Sequence, residues 1–387
     1  MKRSTDRIIT THVGSLPRPH DLLDVLNEKV NGRPYDAPAF DALVKSTIND
    51  VVKRQADAGI DVVGDGEQSK AGFFAYVRDR LTGFEPGEPE PFEVAMGRPR
   101  EIAAFPDYYR RFFGRRGPKR VGTSAPVVCR GPVSYVGHEA LQADIATLRA
   151  AMQGQNVLEG FMPSIAPRGV GRNEFYKTEA EYVEAVANAM HEEYAAIVEA
   201  GLVVQVDDAW LTNLYSRTEN EDITSLRREA RVYVELLNHA LRGIPIDMIR
   251  FHTCYGINEG PRVYDVPFKE FIDIMLEVDA GAYSFEFGNP RHAHEWHLWE
   301  QFKLPDGKNV LPGFISHTTN VVEHPELIAD QICNFASLVG REAVIASADC
   351  GFSSNASYET DVEQHVVWAK FEALAEGAKL ATQRLWK

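Results

Sequence analysis

The stretch Glu179–Val206, EAEYVEAVANAMHEEYAAIVEAGLVVQV, decides the fold class. Its first part spaces apolar residues near 3.6, the period of a helix with one buried face, and it closes on Gly201, a C-terminal glycine stop. The run that follows, Leu202–Val206, is apolar except for Gln205 and does not alternate, as expected of a strand covered on both faces. A helix returning into such a strand is the repeating half of a parallel α/β sheet.

Working outward, similar apolar runs predict strands at Ile8–Thr11, Ile60–Gly64, Leu158–Ile165, Met248–His252, Ala282–Phe287, Leu311–Ile315 and Val344–Ser347. Helical patterns fall at Ala39–Ala58, Ser225–Leu241, Phe268–Glu277 and Pro325–Leu338. Eight strands alternating with helices predict a (β/α)8 TIM barrel, and 387 residues suit one catalytic domain spanning 1–387. An open doubly wound sheet is the rival. No G-x-G-x-x-G follows any of the strands, so its dinucleotide-binding form has no support. Residues 83–136 break the rhythm. GFEPGEPEPFE (Gly83–Glu93) is rich in Pro, Gly and Glu, and YYRRFFGRRGPKR (Tyr108–Arg120) is aromatic and basic. This predicts an insertion after the second strand, a hairpin with a short helix. Its basic run is a solvated or intersubunit face, or a contact for an anionic substrate tail.

A net charge of −15 and the lack of a concentrated basic face argue against a nucleic-acid partner. No run approaches ~20 apolar residues, so no membrane span is expected. The N-terminal MKRSTDRIITTHVG lacks the apolar core of a signal peptide. Four cysteines, Cys129, Cys254, Cys333 and Cys350, are too few for a disulfide scaffold. The expected setting is the reducing cytoplasm, with small-molecule substrates and a homo-oligomer left open.

Barrels of this kind place chemistry at the C-terminal ends of strands. His252 and Cys254 end the strand DMIRFHTC, two residues apart and therefore on one side of an extended backbone. Glu286 ends AYSFEF, where a charge inside a β-run is costly unless paired or bound to metal. Cys350 ends AVIASADC. Two soft sulfurs, an imidazole and a carboxylate form a zinc-type set. Cys129 and Cys333 fall outside it, and Cys333 reads as core. NPRHAHEWH (Asn289–His297) offers His292, His294, Glu295 and His297, but without HExxH spacing it reads as a loop with a hydrogen-bonded or substrate-facing role.

These residues carry a resemblance. TTHVGSLPRP, DVVGDGEQSK, VVQVDDAWL, FHTCYG, YSFEF, HTTN and SADCGF occur in the order found in the catalytic barrel of cobalamin-independent methionine synthases and their single-barrel relatives. The resemblance implies that His252, Cys254, Glu286 and Cys350 hold Zn2+. It implies that Gly14, Ser15, Glu67 and Asp207 hold a thiol amino acid, and that His317 is a general acid. The implied activity is methyl transfer to homocysteine, giving methionine, from a 5-methyltetrahydrofolate-type or methylcobalamin donor. Full-length members carry a second, N-terminal barrel that this chain does not include, which leaves the donor open. Epoxyalkane:coenzyme M transferases share the zinc chemistry, so a thiol transferase or C–S lyase on another thiol and electrophile is the alternative. A sulfonate thiol would call on cations, for which Arg18, Arg168 and Arg291 are candidates. Trp210 and Trp296 are candidates for stacking on a pterin.

Overall fold

The computed structural model describes residues 1–88, 99–116, 119–121, 126–216, 222–256 and 260–387. In chain order the strands are β1 (Ile9–Thr10), β2 (Val62–Val63), β3 (Phe84–Pro86), β4 (Val127–Cys129), β5 (Glu159–Ile165), β6 (Arg172–Asn173), β7 (Val203–Asp208), β8 (Ile249–Thr253), β9 (Ala282–Phe285), β10 (Asn309–Ile315) and β11 (Ile345–Ala348). Eight of them form one sheet in the order β1-β11-β10-β9-β8-β7-β5-β2. All its pairings are parallel, and a parallel bridge between Thr11 and Val62 joins its two ends. The expected (β/α)8 TIM barrel is the observed fold.

Strand period explains the barrel's layers. Side chains two apart on a strand share a face. Ile9, Val62, Phe161, Val203, Ala282, Leu311 and Ile345, from seven strands, pack into one apolar cluster that forms the barrel floor. One step up lies a polar layer. Fully buried Arg250 donates from Nε to Gln205 Oε1 at 2.6 Å and from Nη1 to Thr11 Oγ1 at 3.0 Å, and its guanidinium lies 3.9 Å from the Phe161 ring centroid. Two residues further along the same strands come Asp207 and His252. The alternation therefore turns an apolar floor into a chemically active rim.

Helices cover the outside. Those at Ala37–Asp57, Glu179–Glu199, Ile223–Ala240 and Pro325–Val339 match the sequence pattern. Thr178 and Glu181 form a full capping box on the second of these, and Gly201 follows it at φ 81°. The helix expected over Phe268–Glu277 is broken into a 3-10 turn, Phe268–Glu270, and a short helix, Ile272–Leu276. Phe271 between them has φ −141°, and both Phe268 and Phe271 are buried. Seating two rings in the core outweighs helical continuity here. Helices His20–Val30, His138–Met152 and Gln364–Leu385 are additional. Among the described residues, no helix is long and apolar enough to cross a membrane.

Within 83–136, β3 pairs antiparallel with β4, β4 pairs parallel with β6, and helices occupy Pro99–Ala104 and Pro106–Arg116. Residues 89–98, 117–118 and 122–125 of this expected insertion lie outside the described residues. A buried polar node sits near both its ends. Glu193, on the helix Glu179–Glu199, accepts from Tyr76 and Tyr135 at 2.8 Å each and from Ser164 at 2.7 Å, and it pairs with Arg80 at 3.1 Å.

Candidate active site and metal centre

The predicted residues all gather at the C-terminal ends of the strands. His252 lies on β8 and Cys254 just beyond it, while Cys350 follows β11. One ligand atom from each lies within 4.8 Å of the other two, and all three residues are buried. The two Sγ atoms are 3.5 Å apart. The backbone of the His-x-Cys turn is pinned where Thr212 Oγ1 donates to the Cys254 carbonyl at 2.5 Å. His252 Nδ1 meets Ser284 Oγ at 3.1 Å, whereas its buried Nε2 has no hydrogen bond of good geometry among the described residues, and the ring faces the Cys254 sulfur. Burial would lower the His252 pKa, but the facing Cys254 sulfur raises it; in the neutral tautomer that donates from Nδ1, Nε2 offers a lone pair. The bond from Cys350 and the nearby His252 hold the Cys254 thiol well below the ordinary range against the effect of burial. Cys350 is pushed up by its bond to Cys254 and by burial. The two thiols are thus pulled apart, Cys254 toward the ionised form and Cys350 toward the neutral one. Two sulfurs and an unsatisfied imidazole nitrogen fit a soft or borderline metal ion.

Glu286, the fourth expected ligand, falls in a neighbouring group with His317 and Asp349, whose ligand atoms also lie within 4.8 Å of one another. Its carboxylate is gripped by Arg262, whose Nη2 lies 3.0 Å from Oε1 and 2.9 Å from Oε2, and by the Tyr255 N–H at 2.7 Å. Burial alone would raise this carboxyl, but Arg262 and His317 keep it below the usual range. The structure therefore divides the predicted set into a trio and an adjacent, already paired carboxylate.

His317, after β10, is buried; among the described residues neither ring nitrogen makes a hydrogen bond of good geometry, and the Gly256 backbone is a close polar neighbour. Burial lowers its basicity, while Glu286 opposes that shift. Asp349 accepts the N–H groups of Phe287 and Gly288 on Oδ1 at 2.7 Å each, leaving Oδ2 buried and unpartnered. A cavity of about 40 Å3 runs from His317 along Gly351–Ser354, and Arg120, from the basic run, also lines it.

Gly14 and Ser15 lie in the loop after β1. Gly14 has φ 137°, and a Cβ there would lie 2.7 Å from Pro163 and 2.9 Å from Glu67 Oε1, so only glycine fits. Ser15 does not cap a helix, since the first helix begins at His20 with Pro19 as its N-cap. Instead Ser353 N–H donates to Ser15 Oγ at 3.3 Å, and Phe352 N–H donates to the Ser15 carbonyl at 2.9 Å. These bonds tie the β1 and β11 loops together. Glu67 is no surface carboxylate. It is 2% exposed, holds φ 55°, and leaves Oε2 unpartnered. Burial, with Lys70 opposing, brings its pKa to about 7. Asp207 accepts from Gln205 Nε2 at 2.7 Å, and burial raises it to about 6. Its neighbour Asp208 is structural, accepting the Trp210 and Leu211 N–H groups at 2.7 and 2.9 Å.

Other candidates resolve into packing. His292 Nδ1 donates to Glu295 Oε2 at 2.7 Å and the ring stacks on Tyr255 at 3.9 Å, the hydrogen-bonded role expected of its loop. His297 is exposed and stacks on Trp296. Arg18 bonds the Ser353 and Glu67 carbonyls at 2.9 and 2.6 Å, and Arg168 pairs with Glu179 at 2.5 Å. Trp210 packs against Gly169. Cys333 is half-buried at the core's edge, and all four cysteines are free. Sequence reasoning missed Arg262, Asp349 and Arg250. A signal for two of them was present, since Asp349 and Arg250 are charges inside apolar β-runs, as Glu286 is.

Comparisons with known proteins place the chain in a family and match its fold. Residues 8–90 and 164–369 match the family model described as cobalamin-independent synthase, catalytic domain. A methionine synthase of Saccharolobus islandicus is 23% identical over 380 residues, 97% of this chain and 95% of that protein. One of Sulfolobus acidocaldarius is 25% identical over 347 residues, 88% and 85% of the two chains. The solved structure of a B12-independent methionine synthase from Shewanella sp. W3-18-1 with selenomethionine superposes with a TM-score of 0.72 at 19% identity, covering 98% of this chain and 99% of that one.

Proposed function

We propose that this chain, which belongs to the cobalamin-independent synthase catalytic-domain family, transfers a methyl group to the sulfur of homocysteine and releases methionine. The observation that carries this reading is the meeting of His252, Cys254 and Cys350 at one rim with two buried carboxylates, Glu67 and Asp207.

Zinc fits the donor set. Two sulfurs each ~2.3 Å from one tetrahedral ion would sit roughly 3.8 Å apart, and Cys254 and Cys350 sit 3.5 Å apart before any ion is present. We assign His252, Cys254 and Cys350 as ligands, with Glu286 as the fourth. When bound, zinc favours the ionised form of a substrate thiol and keeps its sulfur a nucleophile, because the ligands are themselves anionic.

The protein's own groups do the rest. Glu67 and Asp207 supply negative charge for the substrate ammonium, and Gly14 lets the backbone approach where a side chain would collide. The sulfur forms its bond to the methyl carbon as the bond from that carbon to the donor's leaving atom breaks. That leaving atom then takes a proton from a His317 ring nitrogen. His317 suits the task because it is buried beside Glu286, which favours its protonated form, and lines the cavity. His317→Asn is expected to lower kcat by roughly 10²–10⁴-fold while homocysteine KM and zinc content stay near parental values. A kcat within threefold of the parent would remove His317 from this role.

The carboxylates also separate the two thiols. A sulfonate needs cations, yet Arg18 and Arg168 are committed to carbonyl groups and to Glu179, and Arg291 is exposed with its guanidinium 3.4 Å from the Val263 carbonyl. The test supplies homocysteine or coenzyme M to the reduced, zinc-loaded protein with methyltetrahydrofolate, methylcobalamin or an epoxide. Methionine from homocysteine supports the reading. Thioether from coenzyme M and epoxide alone overturns it.

A further inference from the structure

Of the four residues assigned to the metal, Glu286 is the one with strong protein partners. Arg262 reaches both its oxygens, the Tyr255 N–H donates to one, and Asn289 Nδ2 approaches the other at 3.5 Å. The side chains of Arg262 and Glu286 are 3% and 0% exposed, so water does not dilute the pairing. Arg262 has φ 55°, a left-handed conformation that a non-glycine residue keeps only where its surroundings impose it. It also has a second anion. Its Nε lies 2.9 Å from Asp265 Oδ2, which in turn faces His292 Nε2 at 3.4 Å. Were Glu286 to turn towards the cysteines, Arg262 would keep a carboxylate partner and would not be left as a bare buried charge.

A carboxylate that accepts two charge-assisted bonds has less electron density to give a metal. Resting on the metal reading above, we propose that Arg262 is a positioning residue that competes with the metal for Glu286. His252, Cys254 and Cys350 then provide the primary grip, and Glu286 joins only as far as Arg262 releases it. Arg262 lies outside every strand whose end carries a ligand, in the loop that follows β8.

The test measures coordination rather than turnover. The full chain, reduced and stripped of metal, is titrated with Co2+ to follow its visible absorption and with Zn2+ against a chromophoric chelator. Arg262→Gln is expected to tighten Zn2+ binding tenfold or more and to shift the cobalt bands. In a Glu286→Gln background the same change should alter affinity less than threefold, because the contested carboxylate is gone. Arg262→Lys, which keeps the charge but loses the two-oxygen grip, should fall between. Unchanged affinity and spectrum in Arg262→Gln overturn the inference. So does equal tightening in both backgrounds, which would mark a general charge effect, and so does weaker binding, which would make Arg262 an aid to ligation. Should the variants not fold, crystals of the unaltered chain with and without zinc decide. On loading, one Arg262–Glu286 contact is expected to open from 2.9 Å to beyond hydrogen-bond range, about 3.5 Å; contacts unchanged on loading refute the inference. A parent chain that binds no metal at all refutes instead the reading on which the inference rests.

Discussion

Cys254→Ser is expected to lower zinc affinity by roughly 10²–10⁴-fold, if ~10–16 kcal/mol of site binding is carried mainly by three ligands, and to take methyl transfer below detection. Serine nearly preserves the volume, so the fold is expected to survive. The thiol sits at the rim above the packed floor of Ile9, Phe161, Val203 and Ile345, and its packing contribution is small. The reason for the large effect is electronic. Cys254 is the thiol whose ionisation the site favours, through the Cys350 bond and the facing His252. A serine hydroxyl cannot be ionised by the same surroundings. Cys350→Ser should be nearly as severe. His252→Ala should also lose metal while leaving Ser284 without its 3.1 Å partner. Metal content by atomic emission, together with affinity by chelator competition, checks all three. A Cys254→Ser protein that keeps stoichiometric, tightly bound zinc would sink the assignment of the trio.

The trio was legible in the sequence and the state of Glu286 was not, for one physical reason. His252, Cys254 and Cys350 were found because strand ends are legible. Parallel strands buried on both faces read as unbroken apolar runs even when regular pairing is as short as Val62–Val63, and the next residues must then face the barrel mouth. The proposal that they are ligands leaned on family resemblance, because a lone His-x-Cys is as easily an ordinary buried pair. The environment of Glu286 depends on Arg262, which sits in a loop with no periodic signal and reaches the carboxylate from 24 residues away. Nothing in strand or helix spacing foretells such a contact. The same limit applies to Phe268–Glu277, where the sequence carries a helical pattern. Phe268 and Phe271 stack among Phe285 and Trp299 instead, and the helix breaks to let them. Glu67 illustrates the converse. Its sequence position allowed a surface carboxylate, and only the closure of the β1, β2 and β11 loops over it makes it a buried one.

Glu67→Gln is expected to separate stability from function, in opposite directions. Burial raises the Glu67 carboxyl from 4.5 to about 7. For an acid raised in the folded state, the unfolded chain gives up its proton first. Stability therefore falls as pH climbs from about 4.5 to about 7 and is flat above that range. A shift of that size corresponds to about 3 kcal/mol of destabilisation at pH 8 and almost none at pH 4.5. A neutral glutamine of similar shape escapes the cost. The variant should therefore be more stable than the parent at pH 8, by up to about 3 kcal/mol, and equal to it near pH 4.5. Denaturant midpoints at the two pH values measure this directly. Homocysteine binding should move the other way, because the ammonium has lost a buried counter-charge. A loss of about 3 kcal/mol, or roughly 10²-fold in kcat/KM, is the expected scale. The parent's kcat/KM should decline as pH falls through 7, and the variant should lose the part of that decline that Glu67 contributes. Stability that does not change at pH 8, or homocysteine kinetics within twofold of the parent, would show that Glu67 is not held as a charged group for an incoming ammonium.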